Sequence, residues 1–159
     1  MTGHDHDPAL PGGLDHSKLL VLLGYNLAQA SIPTGKIFQT RIGKPLALTQ
    51  VEFSVLLLIH SNPGVTGKQL CQSLATAAAR MSLVLDRLMG RGLIDKEQSG
   101  TDKRVQHLRL SKAGQRLADK ALAIAGTMET DLLRRLSKGE QAMLMEMLLK
   151  IASSGREPG

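Results

Sequence analysis

Apolar residues recur at helical spacing along most of the chain, with capping or turn residues between the runs. The first helix is predicted to begin at Asp15, whose carboxylate can cap it. Pro33 is expected to kink or interrupt this helix, because proline has no amide hydrogen and disfavours a helical residue before it. A shorter helical piece over residues 36–42 then leads into a connector at residues 43–45.

Two capping boxes mark the next helices. In a capping box, a Ser or Thr side chain accepts a hydrogen bond from the amide three residues on, and Glu or Gln at that position bonds back. Thr49 with Glu52, and Thr66 with Gln69, have this spacing. The sequence therefore predicts one helix that ends before a Pro-Gly pair and a short second helix that ends near Leu74.

A third helix and a hairpin are predicted after these two. Thr76 can cap the third helix, which carries one apolar stripe and ends at Gly90-Arg91-Gly92. Residues 93–98 and 105–110 are then typical of two short strands, with polar and basic residues 99–104 at the hairpin tip.

Two further helices follow the hairpin. Ser111 can cap a helix of about 25 residues, which would reach nearly 40 Å, more than one small core can cover. Ser137 and Glu140 form a third capping box, which opens the last helix. The predicted fold class is thus mainly α with a small β-hairpin. The order helix, tight turn, helix, hairpin is that of a winged helix-turn-helix, in which the second motif helix enters a DNA major groove.

The charge of the chain favours a polyanionic partner. Its 20 Lys and Arg residues exceed its 14 Asp and Glu residues, and the pI is about 9.8, which suits nucleic acid or an acidic membrane surface. Residues 80–116 hold nine basic and four acidic residues, so +5 of the net +6 lies on the third helix, the hairpin and the start of the next helix. The only aromatic residues are Tyr25, Phe38 and Phe53, which disfavours base stacking on single strands and leaves duplex binding.

Other chemistries have little support in the sequence. The single cysteine, Cys71, excludes an internal disulfide framework and fits a reducing cytoplasm. It is interpreted as a structural or semi-exposed thiol, with a redox switch as the alternative. No two of the five histidines have the i, i+4 spacing of a helical metal site, and no nucleophile has a neighbouring base. The longest apolar runs, such as 55–59, have five residues, far fewer than a membrane span. We therefore predict no metal, no cofactor, no membrane partner and no enzymatic activity.

Five short motifs occur together in the middle of the chain. They are Leu48-Thr49-Gln50, Asp86-Arg87-Leu88, Arg91-Gly92-Leu93-Ile94, Asp102-Lys103-Arg104 and Leu110-Ser111-Lys112-Ala113-Gly114. In combination they make residues 15–152 resemble the MarR family of bacterial transcription regulators. The resemblance implies a homodimer whose two winged helices meet a pseudo-palindromic operator. It also implies release from DNA when a small, often phenolic or aromatic, molecule binds.

The same resemblance divides the chain into five parts. The first helix and the last two helices of each chain are expected to interlock in the dimer. The expected parts are a disordered tail (1–13), N-terminal dimerisation helices (14–46), the winged helix-turn-helix lobe (47–110), C-terminal dimerisation helices (111–153) and a frayed tail (154–159).

The resemblance also implies which residues contact DNA. Arg80, at the start of the recognition helix, is the predicted base reader because its guanidinium can bond a guanine edge in two places. Arg80 and Leu83 depart from the family pattern, so Leu83 or the neighbouring alanines are expected to meet thymine methyls. Arg104 matches the wing arginine that reaches a minor groove, with Asp102 as the acidic partner that orients it. Arg87 is expected to brace the helix against the wing or to contact a base.

Further predicted contacts lie beside these. The exposed amides at the start of the short second helix can hold a phosphate. The additional residues are Ala77, Ala78, Ala79 and Ser82 on the recognition helix, Lys96, Ser99 and Lys103 on the wing, and Thr66, Lys68 and Gln69 at the start of the short helix.

Three polar residues, His16, Tyr25 and His60, are predicted to line an effector pocket. The sequence thus predicts a cytoplasmic, sequence-specific double-stranded DNA-binding transcription regulator, a dimeric repressor released by a small-molecule effector. One alternative is a winged helix used for protein interaction or for non-specific architectural DNA binding. Another is a small-molecule hydrolase or binding protein that does not bind DNA.

Overall fold

The computed structural model describes residues 11–102 and 104–154. The chain divides into two compact units between Lys36 and Ile37. Both predicted tails lie mostly outside the described residues. Of the described residues in these ranges, 11–13 form a 3-10 turn and Ser154 belongs to the last helix.

The first helix, α1 (Leu23–Phe38), begins eight residues later than predicted. The Asp15 carboxylate accepts a hydrogen bond from the Ser17 amide at 2.9 Å, which closes a local turn instead of a helix cap. The amides of Leu19 and Leu20 both donate to the His16 carbonyl, at 2.8 and 3.1 Å. The apolar spacing therefore starts in turns and becomes helical only from Leu23.

Pro33 lies inside α1, so the prediction that it interrupts the helix is wrong. A proline removes a single i to i−4 hydrogen bond, and the turns on either side retain theirs. Hydroxyl groups add bonds here: Ser31 donates to the Ala28 carbonyl and Thr34 to the Ala30 carbonyl, both at 2.7 Å.

The expected connector at residues 43–45 is also helical. A π-helical turn over Gln39–Gly43 leads directly into the short helix α2 (Lys44–Leu46). Pro45 lies in the first turn of α2, where a missing amide hydrogen costs little. The helix ends at Ala47, which has a left-handed backbone with φ of +51°.

The helix-turn-helix region consists of α3 (Gln50–Ser61), α4 (Gly67–Leu74) and α5 (Ala78–Gly90). Both predicted capping boxes are present. The Glu52 amide donates to the Thr49 hydroxyl at 3.1 Å, and the Gln69 amide donates to the Thr66 hydroxyl at 3.3 Å. α4 ends at Leu74, as its apolar spacing predicted.

Thr76 does not cap α5, contrary to prediction. The N-cap is Ala77, which has no side chain able to accept a hydrogen bond. The Thr76 hydroxyl instead donates back to the Leu74 carbonyl at 3.1 Å, at the end of α4.

Replacing Ala75 by Gly is expected to raise the free energy of unfolding by about 0.5–1 kcal/mol. Ala75 ends α4 with a left-handed backbone, φ of +47°, which strains an L side chain and suits glycine. Denaturant unfolding measures the change. Ala142→Gly, inside the right-handed helix Lys138–Ser154, is the control and should lower stability by about 1 kcal/mol. Equal losses in both variants would contradict the expectation.

A three-stranded antiparallel sheet forms the wing, with strand order β1-β3-β2. The strands are β1 (Val65–Thr66), β2 (Ile94–Gln98) and β3 (Gln106–Leu110). In the hairpin, Ile94 pairs with Leu110 and Gln98 pairs with Gln106. The hairpin was predicted within one residue at its ends. The strand β1 was not predicted, because its two residues directly precede α4 and were interpreted only as the start of that helix.

The core of the second unit joins the helix-turn-helix to α6 (Lys112–Leu132). Leu56, Leu70, Leu88 and Leu108 are almost fully buried in it. α6 has 21 residues, about 31 Å at ~1.5 Å per residue, and is shorter than predicted. Its predicted cap is present: the Ser111 hydroxyl accepts from the Gly114 amide at 3.0 Å.

The last helix, α7 (Lys138–Ser154), has no buried residue. Its predicted capping box is present, and the Ser137 amide bonded to the Glu140 carboxylate lowers the pKa of that carboxyl below its ordinary value.

Within residues 11–102 and 104–154, no single helix is both long enough and apolar enough to span a membrane. One pair of helices, Leu23–Leu46 and Gln50–Ser61, reaches the required length and apolarity together, but the pair is bent.

Candidate nucleic-acid interface

The helix α5 has one buried and one exposed face. Met81, Leu85 and Leu88 point into the core, at the spacing of a single apolar stripe. The residues of α5 and its N-cap that were predicted to contact DNA are all exposed, at the N-terminal end of the helix or on its outer side: Ala77, Ala78, Ala79, Arg80, Ser82, Leu83 and Arg87. Small side chains around Arg80 allow the backbone of α5 to approach a groove closely.

A cavity of about 370 Å³ lies between α5 and the start of α3. Arg80, Leu83 and Arg87 line it from α5, and Thr49 and Glu52 line it from α3. Arg87 Nε is 3.1 Å from Glu52 Oε1, so Arg87 braces the recognition helix against α3. The predicted brace against the wing is therefore corrected: the partner of Arg87 is on a helix. Its DNA contact stays a prediction.

Two other arginines of the basic stretch are used inside the lobe. Arg91 donates from Nη1 to the Ala47 carbonyl at 2.6 Å and from Nη2 to the Leu46 carbonyl at 2.9 Å, which ties the end of α5 to the end of α2. Arg109 pairs with Glu97 across the hairpin at 2.9 Å. Among the described residues, Arg80, Lys96 and Arg104 form no ion pair, so their charges remain available to phosphate.

The wing tip is organised by short backbone and side-chain hydrogen bonds. The Ser99 amide donates to the Val105 carbonyl at 3.1 Å, and the Ser99 and Thr101 hydroxyls lie 3.2 Å apart. The Asp102 carboxylate accepts from the backbone amide of Arg104 at 2.9 Å. Asp102 thus orients the Arg104 backbone, whereas the sequence suggested that it orients the side chain. Lys103 lies outside the described residues.

At the start of α4, some of the amides that could bind a phosphate are already used in the capping box. The Thr66 amide donates to Gln69 Oε1 at 2.9 Å, and the Gln69 amide donates to the Thr66 hydroxyl. Lys68 is exposed between them. A phosphate here would meet the Gly67 and Lys68 amides and the Lys68 ammonium.

The three residues predicted to bind an effector fall in different units. His16 Nδ1 is hydrogen-bonded to the Tyr25 hydroxyl in the first unit, and His16 Nε2 is buried without a hydrogen-bond partner among the described residues. In the second unit, His60 Nε2 lies 3.3 Å from Asp119 Oδ1. Cys71 is half-buried and unbonded to another cysteine. Across the part of the chain that the structure describes, no cluster of His, Cys, Asp and Glu is suited to a metal.

Two residues that shape this surface were not predicted to do so. The sequence analysis used Arg91 as a charge of the basic stretch and as part of a family motif, and no sequence signal marks its carbonyl partners. Glu52 was recognised only as a capping residue. Its spacing was a signal, since it shares a helical face with the buried Val55, Leu56 and Ile59.

Comparisons with known proteins agree with this arrangement. The MarR family model matches residues 48–105. The transcriptional regulator HosA of Escherichia coli is 27% identical over 107 residues, which are 67% of this chain and 79% of HosA. A solved structure of the transcriptional repressor CouR bound to a 23-mer DNA duplex superposes with a TM-score of 0.83 at 32% identity, covering 89% of this chain and 99% of CouR.

A more distant solved structure shares the fold. The PcaV transcriptional regulator of Streptomyces coelicolor, in complex with its natural ligand, superposes with a TM-score of 0.79 at 21% identity, covering 91% of this chain and 99% of PcaV. The motifs, the winged helix-turn-helix and these similarities lead to one conclusion: the chain belongs to the MarR family of DNA-binding transcription regulators.

Proposed function

We propose that the protein is a cytoplasmic homodimeric repressor that binds a pseudo-palindromic operator and is released by a small-molecule effector. The observation that carries the DNA-binding part is the exposed face of α5, where Arg80 lies among small side chains and pairs with no acidic group of the described residues. An arginine on an exposed recognition helix can make the bidentate contact that identifies guanine. CouR, 32% identical, occurs on a DNA duplex with the same fold, which supports this use of the lobe.

The homodimer is supported by apolar side chains at both ends of the chain. Leu22, Leu27 and Ile32 are exposed in the first unit, and α7 exposes Met143 and Leu149. Exposed apolar residues grouped on helices are typical of a protein interface. A second copy of the chain would cover them and place two recognition helices about one turn of DNA apart, roughly 34 Å.

The effector is proposed to be a small phenol or aromatic acid. His16 Nε2 is a buried polar atom without a partner in the described part of the chain, and buried polar groups normally have one. A phenolic hydroxyl or a carboxylate of a ligand would supply the missing bond. In the second unit, His60, which pairs with Asp119, is a separate polar candidate for an effector contact.

Binding of duplexes from the gene's flanking region tests the proposal. We expect a steep salt dependence and a preference of at least ~10³ for one inverted repeat over random duplex. Sedimentation should give twice the mass of the chain. Equal affinity for all duplexes would indicate the architectural alternative, and no duplex binding would contradict the proposal.

Arg104→Ala is expected to weaken binding to specific and random duplexes alike, by about 3–10-fold, because the contact of the wing arginine depends little on the base sequence. The slope of log affinity against log salt should become shallower by about 0.9 for each phosphate that the variant no longer neutralises. Arg135→Ala, which removes the same charge after α6, is the control and should bind as wild type. Weaker binding to the specific duplex alone would contradict the assignment.

A further inference from the structure

Glu52 is the one charged side chain in the buried core of the described residues, with 1% of its surface exposed. Removing a carboxylate from water is costly unless hydrogen bonds and an opposite charge compensate for it. The lobe therefore contains a buried charge that requires a structural or functional explanation.

The contacts of Glu52 use both carboxylate oxygens. Oε2 accepts from the Thr49 amide at 2.8 Å and closes the capping box of α3. Oε1 lies 3.1 Å from Arg87 Nε on the recognition helix. One side chain thus joins the start of α3 to the last turns of α5.

The other two capping boxes show that capping does not require this arrangement. Gln69 closes the box of α4 and Glu140 closes the box of α7, and both residues are exposed. In the described residues, neither side chain is paired with a cation. The burial of Glu52 and its pairing with Arg87 are therefore not needed for capping. Of these three boxes, only the one at α3 is linked to the recognition helix.

Arg87 is positioned by Glu52 and remains mostly exposed. Its side chain is 63% exposed and lines the same cavity as Arg80. A guanidinium has five N–H donors in a rigid plane, and the ion pair at Nε leaves the two Nη groups without an acidic partner among the described residues. A backbone phosphate is the acceptor that a recognition helix meets on either side of a major groove.

We propose that Glu52 is a positioning residue for DNA binding, which holds the recognition helix on α3 and aims the Nη groups of Arg87 at a backbone phosphate. Glu52 itself does not contact DNA. Its burial keeps a negative charge away from the duplex, and its pairing keeps Arg87 extended and ordered before DNA arrives. The inference rests on the proposed function, because it assigns the pair a role in the same protein–DNA complex.

Glu52→Gln tests the proposal because it removes the charge and keeps the cap. Gln69 shows that glutamine closes such a box in this chain. We expect the melting temperature and the circular dichroism spectrum to stay close to wild type. Specific binding should be about tenfold weaker, and the slope of log affinity against log salt should be shallower by about 0.9 for each Arg87 that no longer contacts its phosphate. Glu140→Gln makes the same change in an exposed box and should bind as wild type.

Arg87→Ala and the double variant complete the cycle. If Glu52 acts through Arg87, Glu52→Gln should weaken binding no further when Arg87 is already Ala. An equal tenfold weakening in that background, or wild-type affinity and slope for Glu52→Gln, would overturn the positioning role while wild-type binding still supports the proposed function. A wild-type protein that prefers no duplex would overturn both.

Discussion

Replacing Gly114 by Ala is expected to lower the free energy of unfolding by about 3 kcal/mol or more. Gly114 lies in the first turn of α6, and a Cβ there would be 1.9 Å from the Leu93 carbonyl oxygen and 2.9 Å from the Leu93 carbonyl carbon. Both are backbone atoms at the start of the wing, so they cannot rotate away as a side chain would. The helix or the wing must shift, and the core between them must open.

The close approach at Gly114 is fixed by three hydrogen bonds of Ser111 and its cap. The Ser111 amide donates to the Leu93 carbonyl at 3.0 Å, and its hydroxyl donates to the Gly92 carbonyl at 2.6 Å. The same hydroxyl accepts from the Gly114 amide. The Leu-Ser-Lys-Ala-Gly segment therefore joins the two ends of the wing to α6, and this geometry explains why its last residue is glycine.

Gly126→Ala is the matched control in the same helix. Among the described residues, no atom beyond its chain neighbours and the adjacent backbone of α6 lies within 4 Å of the position that its Cβ would take, so the substitution should raise stability by roughly 0.5–1 kcal/mol through helix propensity. Denaturant unfolding at one fixed protein concentration compares the two variants, since association changes apparent stability. A Gly114→Ala protein as stable as wild type would contradict the expected backbone clash.

The parts of the fold predicted correctly are those set by local chemistry. The boxes at Thr49, Thr66 and Ser137 depend on two side chains three residues apart, and the structure has all three. The N-terminal region was predicted less well, because its apolar spacing also suits exposed turns. The start at Asp15 was wrong because a carboxylate can close a turn as readily as a helix.

The structural partners within the candidate site could not be predicted from spacing. Arg87 and Glu52 are 35 positions apart, and Arg91 donates to carbonyls of residues 46 and 47. Such contacts arise from packing between helices, which the one-dimensional pattern does not contain. The sequence identified the basic stretch and its helices. Which of its basic side chains form internal contacts and which are available to DNA could be seen only in the three-dimensional structure.

Arg80→Ala is expected to weaken binding to the specific operator by about 1–3 kcal/mol and to relax specificity at one base pair of each half-site. Arg80 is exposed in the first turn of α5, the end of a recognition helix that contacts base edges. Ala79 and Ser82 beside it are too small to hold the helix away from the groove. Binding to random duplex should change much less, because a base contact adds little to non-specific affinity.

Arg80→Lys separates the charge of this side chain from its geometry. Lysine keeps the positive charge but lacks the planar fork that bonds guanine O6 and N7 together. We expect the lysine variant to retain the wild-type salt slope and still lose discrimination at the same base pair, as measured by selecting bound sequences from a randomised duplex pool. If Arg80→Ala lost equal affinity on specific and random DNA, and lysine restored both, Arg80 would be a phosphate contact and the base would be read by another residue.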